Sequence, residues 1–158
     1  MKDRNLDNHN DWQTPQYVWE QLDNEFGFDF DPCPLHNDLE KWDGLKEDWK
    51  GTSIFVNPPY DRKTKEAFIH KAVEESRKGK FVVMLLPVST STKIFHEVIL
   101  PNAAEIRFVR NRIKFRGVNT KGEYVTENTP MHDSMIVIFM DPNTRYSGLE
   151  INSQEFKK

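Results

Sequence analysis

No apolar run in this sequence approaches the ~20 residues that a membrane-spanning helix needs. Cysteine is nearly absent, and there is no surplus of positive charge. Each absence closes a route. A single cysteine, Cys33, excludes an internal disulfide, and with His36 it forms a lone C-x-x-H that no second pair completes into a zinc site. A net charge of −3 is not that of a chain that coats nucleic acid over its whole surface. The opening stretch MKDRNLDNHNDW has no apolar signal-peptide core, so the expected compartment is the cytoplasm. What remains fits one globular domain. The 158 residues are 37% hydrophobic with four tryptophans, enough to bury a core. A mean hydropathy of −0.74 gives that core a polar surface.

Residues 1–11 read as a polar arm, 12–145 as a single domain and 146–158 as a polar tail. Behind Thr14-Pro15, a threonine suited to N-capping followed by proline, Val18, Trp19, Leu22 and Phe26 recur at helical spacing; Gly27 ends the helix. Phe28–Asp31 alternates like a short strand stopping at Pro32, and a short helix or strand is expected near Leu39–Leu45. Ile54–Val56 reads as a buried strand and Thr64–Lys78 as a helix capped by Gly79. Phe81–Leu86 reads as a central parallel strand covered on both faces. A helix over Thr92–Leu100 and strands over Glu105–Val109 and Ser134–Met140 complete the pattern. This alternation predicts an α/β fold, a mostly parallel sheet with helices on both faces. Ligands bind such sheets beyond the strands' carboxyl ends. Two punctuated stretches fall there: Asp31-Pro32-Cys33 and Asn57-Pro58-Pro59-Tyr60.

Pro58 and Pro59 cannot continue a ladder, and Asn57 before them is pushed to extended geometry. The result holds an amide, a backbone carbonyl and a ring in one place. A plain Asn-Pro turn does this with no chemistry attached, so the stretch alone leaves both readings open. Residues 107–121, RFVRNRIKFRGVNTK, carry six basic residues and no acidic one. With Phe108 and Phe115 interleaved, the run suits phosphate contact beside base stacking, although a solvated basic edge has the same composition. The five histidines read as surface groups.

Taken in order, Trp12-Gln13-Thr14-Pro15, Asp31-Pro32-Cys33, Asp43-Gly44-Leu45, the N-P-P-Y turn at 57–60 and Arg112-x-x-Phe115 resemble the phage-type Dam DNA N6-adenine methyltransferases. The resemblance runs from about residue 11 to 140. It implies a reduced Rossmann-like fold that transfers a methyl group from S-adenosylmethionine to the exocyclic amine of an adenine flipped out of DNA. On that resemblance Asn57, Pro58, Pro59 and Tyr60 are catalytic. The Asn57 side-chain oxygen and the Pro58 carbonyl accept the amine's N–H groups, Tyr60 stacks on the base, and Phe115 covers its other face. Trp12, Thr14, Pro15, Asp31, Pro32, Cys33 and Asp43 hold the cofactor, with Asp31 facing its ammonium group and Asp43 its adenosine part. Arg110, Arg112, Phe115 and Arg116 hold the DNA, and no metal is called for. Two features depart from the family pattern. No G-x-G occurs, and only about twenty residues separate the first strand from the N-P-P-Y strand, too few for two further strand–helix units. Two other expectations therefore stand beside the first: an RNA or protein-glutamine methyltransferase using the same turn, or an inactive relative that binds DNA or a protein.

Overall fold

The structure, a computed structural model, describes residues 12–34, 43–118, 124–125, 132–145 and 147–158. The arm at 1–11 and most of the element expected near Leu39–Leu45 lie outside the described residues; residues 43–47 form a turn closed on the Asp43 carbonyl.

A five-stranded sheet is assembled from β2 (Ser53–Val56), β3 (Phe81–Pro87), β7 (Ser134–Phe139), β4 (Glu105–Val109) and β8 (Glu150–Gln154), in that spatial order. A smaller antiparallel sheet joins β1 (Trp12–Gln13), β5 (Arg116–Val118) and β6 (Tyr124–Val125). Helix α1 (Gln16–Phe26) covers one face of the large sheet and α2 (Arg62–Arg77) the other. The period of two in β3 explains this sandwich. Val82, Met84 and Leu86 pack with Phe68, Ile69 and Ala72 of α2, while Val83 and Leu85 pack with Val18 and Leu22 of α1. All six residues of β7 are buried. The α/β class with helices on both faces is as expected.

The sheet is mixed rather than mostly parallel. β2 with β3 and β4 with β8 are parallel, but β7 runs against both of its neighbours. The cause is the connection. The chain leaves β4 for the basic stretch and comes back at the same end of the sheet, with no crossover helix among the described residues, so β7 points the other way.

Three further expectations change. Phe28–Asp31 makes a single parallel bridge, Phe30 to Ile54, in place of a strand. The Asp29 carboxylate takes the Thr52 and Ser53 N–H groups at 3.0 Å, which ends the ladder there. Gly51 (φ +87°) makes room for this, because a Cβ on it would lie 2.4 Å from Asp29 Oδ1. The helix expected over Thr92–Leu100 is present from Lys93, but its middle is a π-helical turn, Phe95–Ile99, running into the short α3 (Leu100–Asn102). Pro101 has no N–H to close an α-turn there, and the wider turn accommodates it. Finally, the polar tail is the edge strand β8. Four of its five residues are exposed, so no apolar alternation announces a strand held by backbone pairing to β4. Two hydrogen bonds between Gln21 and the Lys157 backbone, at 2.6 and 3.0 Å, fasten the segment to α1. Among the described residues no helix is long and apolar enough to cross a membrane.

Glu75 on α2 holds the 43–50 loop against the domain. It is fully buried, accepts the Trp49 N–H at 2.7 Å, and is paired with Lys80 at 3.0 Å and Lys78 at 2.6 Å. Burial alone would raise its carboxyl, but the two lysines and the Trp49 N–H outweigh that and hold it at about 2. Removing the carboxylate strands Lys80 and the Trp49 N–H. Glu75→Ala is therefore expected to cost about 2 kcal/mol in urea unfolding near neutral pH, a buried-pair loss discounted for the exposure of Lys78. The gap should close as the pH falls from the ordinary carboxyl value of 4.5 towards 2, where the wild-type group is itself protonated.

Candidate active site

β2 ends at Val56, and the buried Pro58 and Pro59 hold the next turn rigidly at the carboxyl edge of the sheet. Prolines fix the backbone but not the rotation of the Asn57 amide about its side-chain bonds. Thr14 supplies that second restraint. The Asn57 Nδ2 donates to Thr14 Oγ1 at 3.0 Å, and the amide oxygen, which is buried, is therefore the acceptor end. Local sequence marks Thr14 as a cap for α1. Instead Pro15 occupies the N-cap position and no side chain caps the helix. The hydroxyl is engaged by Asn57, 43 positions along the chain. β1 carries Thr14 to this spot by pairing with β5, Trp12 opposite Gly117 and Gln13 opposite Arg116. The Thr-Pro element thus meets both the N-P-P-Y turn and the end of the basic stretch.

Tyr60 follows the prolines and sits edge-on to two rings: Phe115 at 5.9 Å and His132 at 5.1 Å between centroids. Its hydroxyl is buried without a hydrogen-bond partner among the described residues, and burial pushes its pKa well above the ordinary phenol value. Phe115 is not an open ring face. It is 6% exposed and packs with Val18, Leu22 and Ile113. Asn111 turns the chain through the left-handed region (φ +65°), after which Ile113 and Phe115 alternate inward and Lys114 outward. A flat base cannot lie between Tyr60 and Phe115 as they stand, because their planes are 81° apart.

His132 is the residue that sequence reasoning missed. Its local sequence reads as surface, yet it completes the aromatic cluster with Tyr60 and Phe115. Burial, reinforced by Lys65 and Arg112, lowers its pKa below the ordinary imidazole value. The missing signal was the direction of β7. Because β7 is reversed, its amino end, with His132 and Asp133, arrives where the carboxyl ends of β2 and β3 lie; the Val88 N–H donates to the Asp133 carbonyl there at 2.9 Å.

The Phe30–Ile54 bridge runs the chain parallel to β2, carrying Asp31-Pro32-Cys33 towards the same edge. Pro32 and Cys33 are buried. Asp31 accepts the Cys33 N–H at 2.8 Å, and no cation among the described residues pairs with it. Loss of water around it raises its carboxyl to about 6, against the opposing pull of the Cys33 N–H. Asp43, by contrast, closes its own turn: Oδ1 accepts the Leu45 N–H at 2.9 Å.

The basic stretch divides. Arg107 is structural, clamped by Glu25 at 2.6 Å and Glu105 at 3.0 Å with its guanidinium over the Phe26 ring. Arg112 pairs with Asp133 at 2.8 Å on the surface. Arg110 is exposed, and Arg110 and Arg112 line a cavity of 240 Å³ with Lys114 and Lys158. Arg116 enters through its backbone in β5; its side chain, like that of Trp12, lies outside the described set.

A Rossmann-like α/β domain with an N-P-P-Y turn at a strand's carboxyl end, and a desolvated acid heading for the same edge, has the plan of a methyltransferase. The family comparison agrees. The chain belongs to the DNA N-6-adenine-methyltransferase (Dam) family, whose model matches residues 3–157. It is 34% identical over 107 residues to a DNA N-6-adenine-methyltransferase of Escherichia phage T1; the match covers 62% of this chain and 44% of the phage protein, less than half of its length. It is also similar to a solved Listeria monocytogenes protein assigned to the class I S-adenosylmethionine-dependent methyltransferases. That likeness has a TM-score of 0.45 and 13% identity, over 73% of this chain and 40% of the other.

Asp31 sets a pH dependence whose sign is opposite to the usual acid case. Between the ordinary 3.8 and about 6 the native state keeps a proton that the unfolded chain has released, so this group lowers stability as the pH rises. Measured against Asp31→Asn by urea unfolding, the ligand-free wild type should lose stability from pH 4 to 6 and then level off. A difference that is flat with pH would show that the carboxyl is well solvated.

Proposed function

We propose that this chain is an S-adenosylmethionine-dependent methyltransferase acting on the N6 amine of adenine in DNA. The observation that carries the reading is the Asn57 amide, turned by Thr14 so that its oxygen accepts, at the end of β2 on the edge that Asp31 approaches. An exocyclic adenine amine is a weak nucleophile because its lone pair is delocalised into the ring. The Asn57 oxygen and the Pro58 carbonyl accept its two N–H groups and favour a pyramidal nitrogen. Fixed acceptors of this kind stabilise charge as it develops, without reorganising during the reaction.

The residues present fit the cofactor at one identifiable point. A cationic ammonium group beside Asp31 relieves the desolvation that raises its carboxyl, in a charge-assisted contact. Pro32 and Cys33 adjoin that position in the chain, and Trp12, Thr14, Pro15 and Asp43 are assigned to the same pocket by the family pattern. When bound, the cofactor supplies an activated methyl group on a sulfonium. The chain's own task is orientation and the exclusion of water.

Extruding a base from duplex DNA costs a few kcal/mol. Stacking on an aromatic ring returns about 1–3 kcal/mol. Tyr60 is the ring for that interaction, with Phe115 and His132 as its edge-on supports rather than as a second stacking face. Arg110, Arg112 and Arg116 hold the phosphates on the β1–β5 side. The setting is the cytoplasm, in keeping with the likeness to a phage protein.

The test is product identity. The chain is incubated with labelled S-adenosylmethionine and, separately, with duplex DNA, single-stranded DNA, RNA or protein extract, and the modified group is identified by mass spectrometry. N6-methyladenine in DNA is expected. Asn57→Ala should lower turnover by about 100-fold or more, the cost of removing a fixed polar group from a transition state, while the thermal midpoint stays close to wild type. Label appearing only in RNA or glutamine, or near wild-type turnover in Asn57→Ala, contradicts the proposal.

A further inference from the structure

A second cavity opens at the same edge of the sheet, and its lining does not include Asp31. It has a volume of about 420 Å³ and lies between the first turns of α2 and the segment following β3. Ile69, Leu86 and Met135 form its apolar floor. Arg62, Lys65 and Lys93 bring three cations to its wall, and Ser89, Ser91 and Thr92 bring three hydroxyls.

Some of these groups are already engaged. Glu66 also lines the cavity but is paired with Arg62 at 3.0 Å. Thr92 donates its hydroxyl to the Ser89 carbonyl at 2.8 Å. The remaining four are not. Lys65, Lys93 and the side chains of Ser89 and Ser91 make no hydrogen bond or ion pair with the described residues. Two cations and two hydroxyls thus converge on one hollow, and the two acids whose charge reaches Lys65, Glu66 and Asp61, are engaged by Arg62 and by the Thr64 N–H. Lys65 is half-buried, and burial, with Arg62 beside it, outweighs the attraction of Glu66 and Asp61 and holds its pKa below the ordinary value. The position ties the cavity to the reaction. Asp61, which caps α2 through the Thr64 N–H, directly follows Tyr60, and Lys65 is close enough to His132 to influence its titration. Meanwhile Arg107 and Arg112, two cations of the basic stretch, are paired with acids.

We infer that this cavity is a phosphate subsite, formed by Lys65, Lys93, Ser89 and Ser91, that grips the DNA backbone beside the extruded adenine. The inference rests on the reading of the chain as a DNA methyltransferase. A monoanionic phosphodiester suits two lysines and two hydroxyl donors better than a sulfonium or a neutral base does. Gripping one phosphate next to Tyr60 also gives the flipped nucleotide a fixed point to rotate about.

Lys65→Gln/Lys93→Gln tests it, read by fluorescence anisotropy of a labelled duplex over a range of salt with S-adenosylmethionine present. Giving up one phosphate interaction should reduce the log–log salt slope by about 0.9, so the double variant should flatten it by about that amount. Affinity at physiological salt should fall at least about fivefold, while cofactor affinity and the thermal midpoint stay at wild-type values, because neither lysine belongs to the Asp31 pocket or the core. A parallel titration with inorganic phosphate separates the possible sources of the anion. If phosphate alone stabilises the wild type, the variant loses that response, and the DNA slope is unchanged, the cavity serves a free phosphate compound and the inference fails. An unchanged slope with no phosphate response overturns it as well. A wild-type chain that binds no DNA at all overturns the proposed function along with it.

Discussion

The hydrogen bond from Asn57 to Thr14 is the constraint around which this domain is arranged. Proline can lock a backbone but cannot orient the side chain before it, so the N-P-P-Y turn alone leaves open which way the amide's oxygen and nitrogen face. Thr14 settles that orientation by accepting from the nitrogen. To reach Asn57, residues 12–14 must be extended and held, and β1 achieves this by pairing with β5. Helix α1 then begins at Gln16 without a side-chain cap. An absent cap costs a helix about 1 kcal/mol. The packing of Val18 and Leu22 against Val83 and Leu85 more than offsets that loss.

The reversal of β7 organises the other half of the site. A strand running against β3 returns its amino end to the edge where the parallel strands finish, bringing His132 against Tyr60 and Asp133 against Arg112. Charge is distributed accordingly. Asp31 is a desolvated acid without a described cation, and Lys65 and Lys93 are cations that make no ion pair among the described residues. Structural pairs such as Glu75 with Lys78 and Lys80, or Arg107 with Glu25, are complete within the fold. That contrast between answered and unanswered charge separates scaffold from site in an acidic chain.

Much of this was legible in the residues. The apolar runs of β3 and β7 and the amphipathic α1 and α2 follow from local periodicity. The N-P-P-Y turn declares itself because stiff residues act locally. What stayed hidden depends on distant partners. Thr14 looks like an N-cap in any local window, and only the tertiary hydrogen bond overrides it. β8 has no apolar face and is a strand solely because β4 offers an open edge. The Phe28–Asp31 alternation overstates its strand, since Asp29 intercepts the N–H groups that a ladder would use. Six cations in one stretch read as one surface, but Arg107 belongs to the scaffold. His132 carried no local signal, because its value depends on which way β7 runs.

Thr14→Val separates two roles for Thr14: positioning the amide proposed to be catalytic, and simply lining the proposed cofactor pocket. Valine keeps the shape and the β-branch but cannot accept from Asn57 Nδ2. Single-turnover methyl transfer to duplex DNA, measured beside S-adenosylmethionine affinity, gives the answer. A positioning role predicts a rate lower by roughly tenfold or more with cofactor affinity nearly unchanged, and recovery in Thr14→Ser, since misplacing a reacting group costs rate rather than binding. An unchanged rate at saturating cofactor with weakened cofactor binding would contradict it.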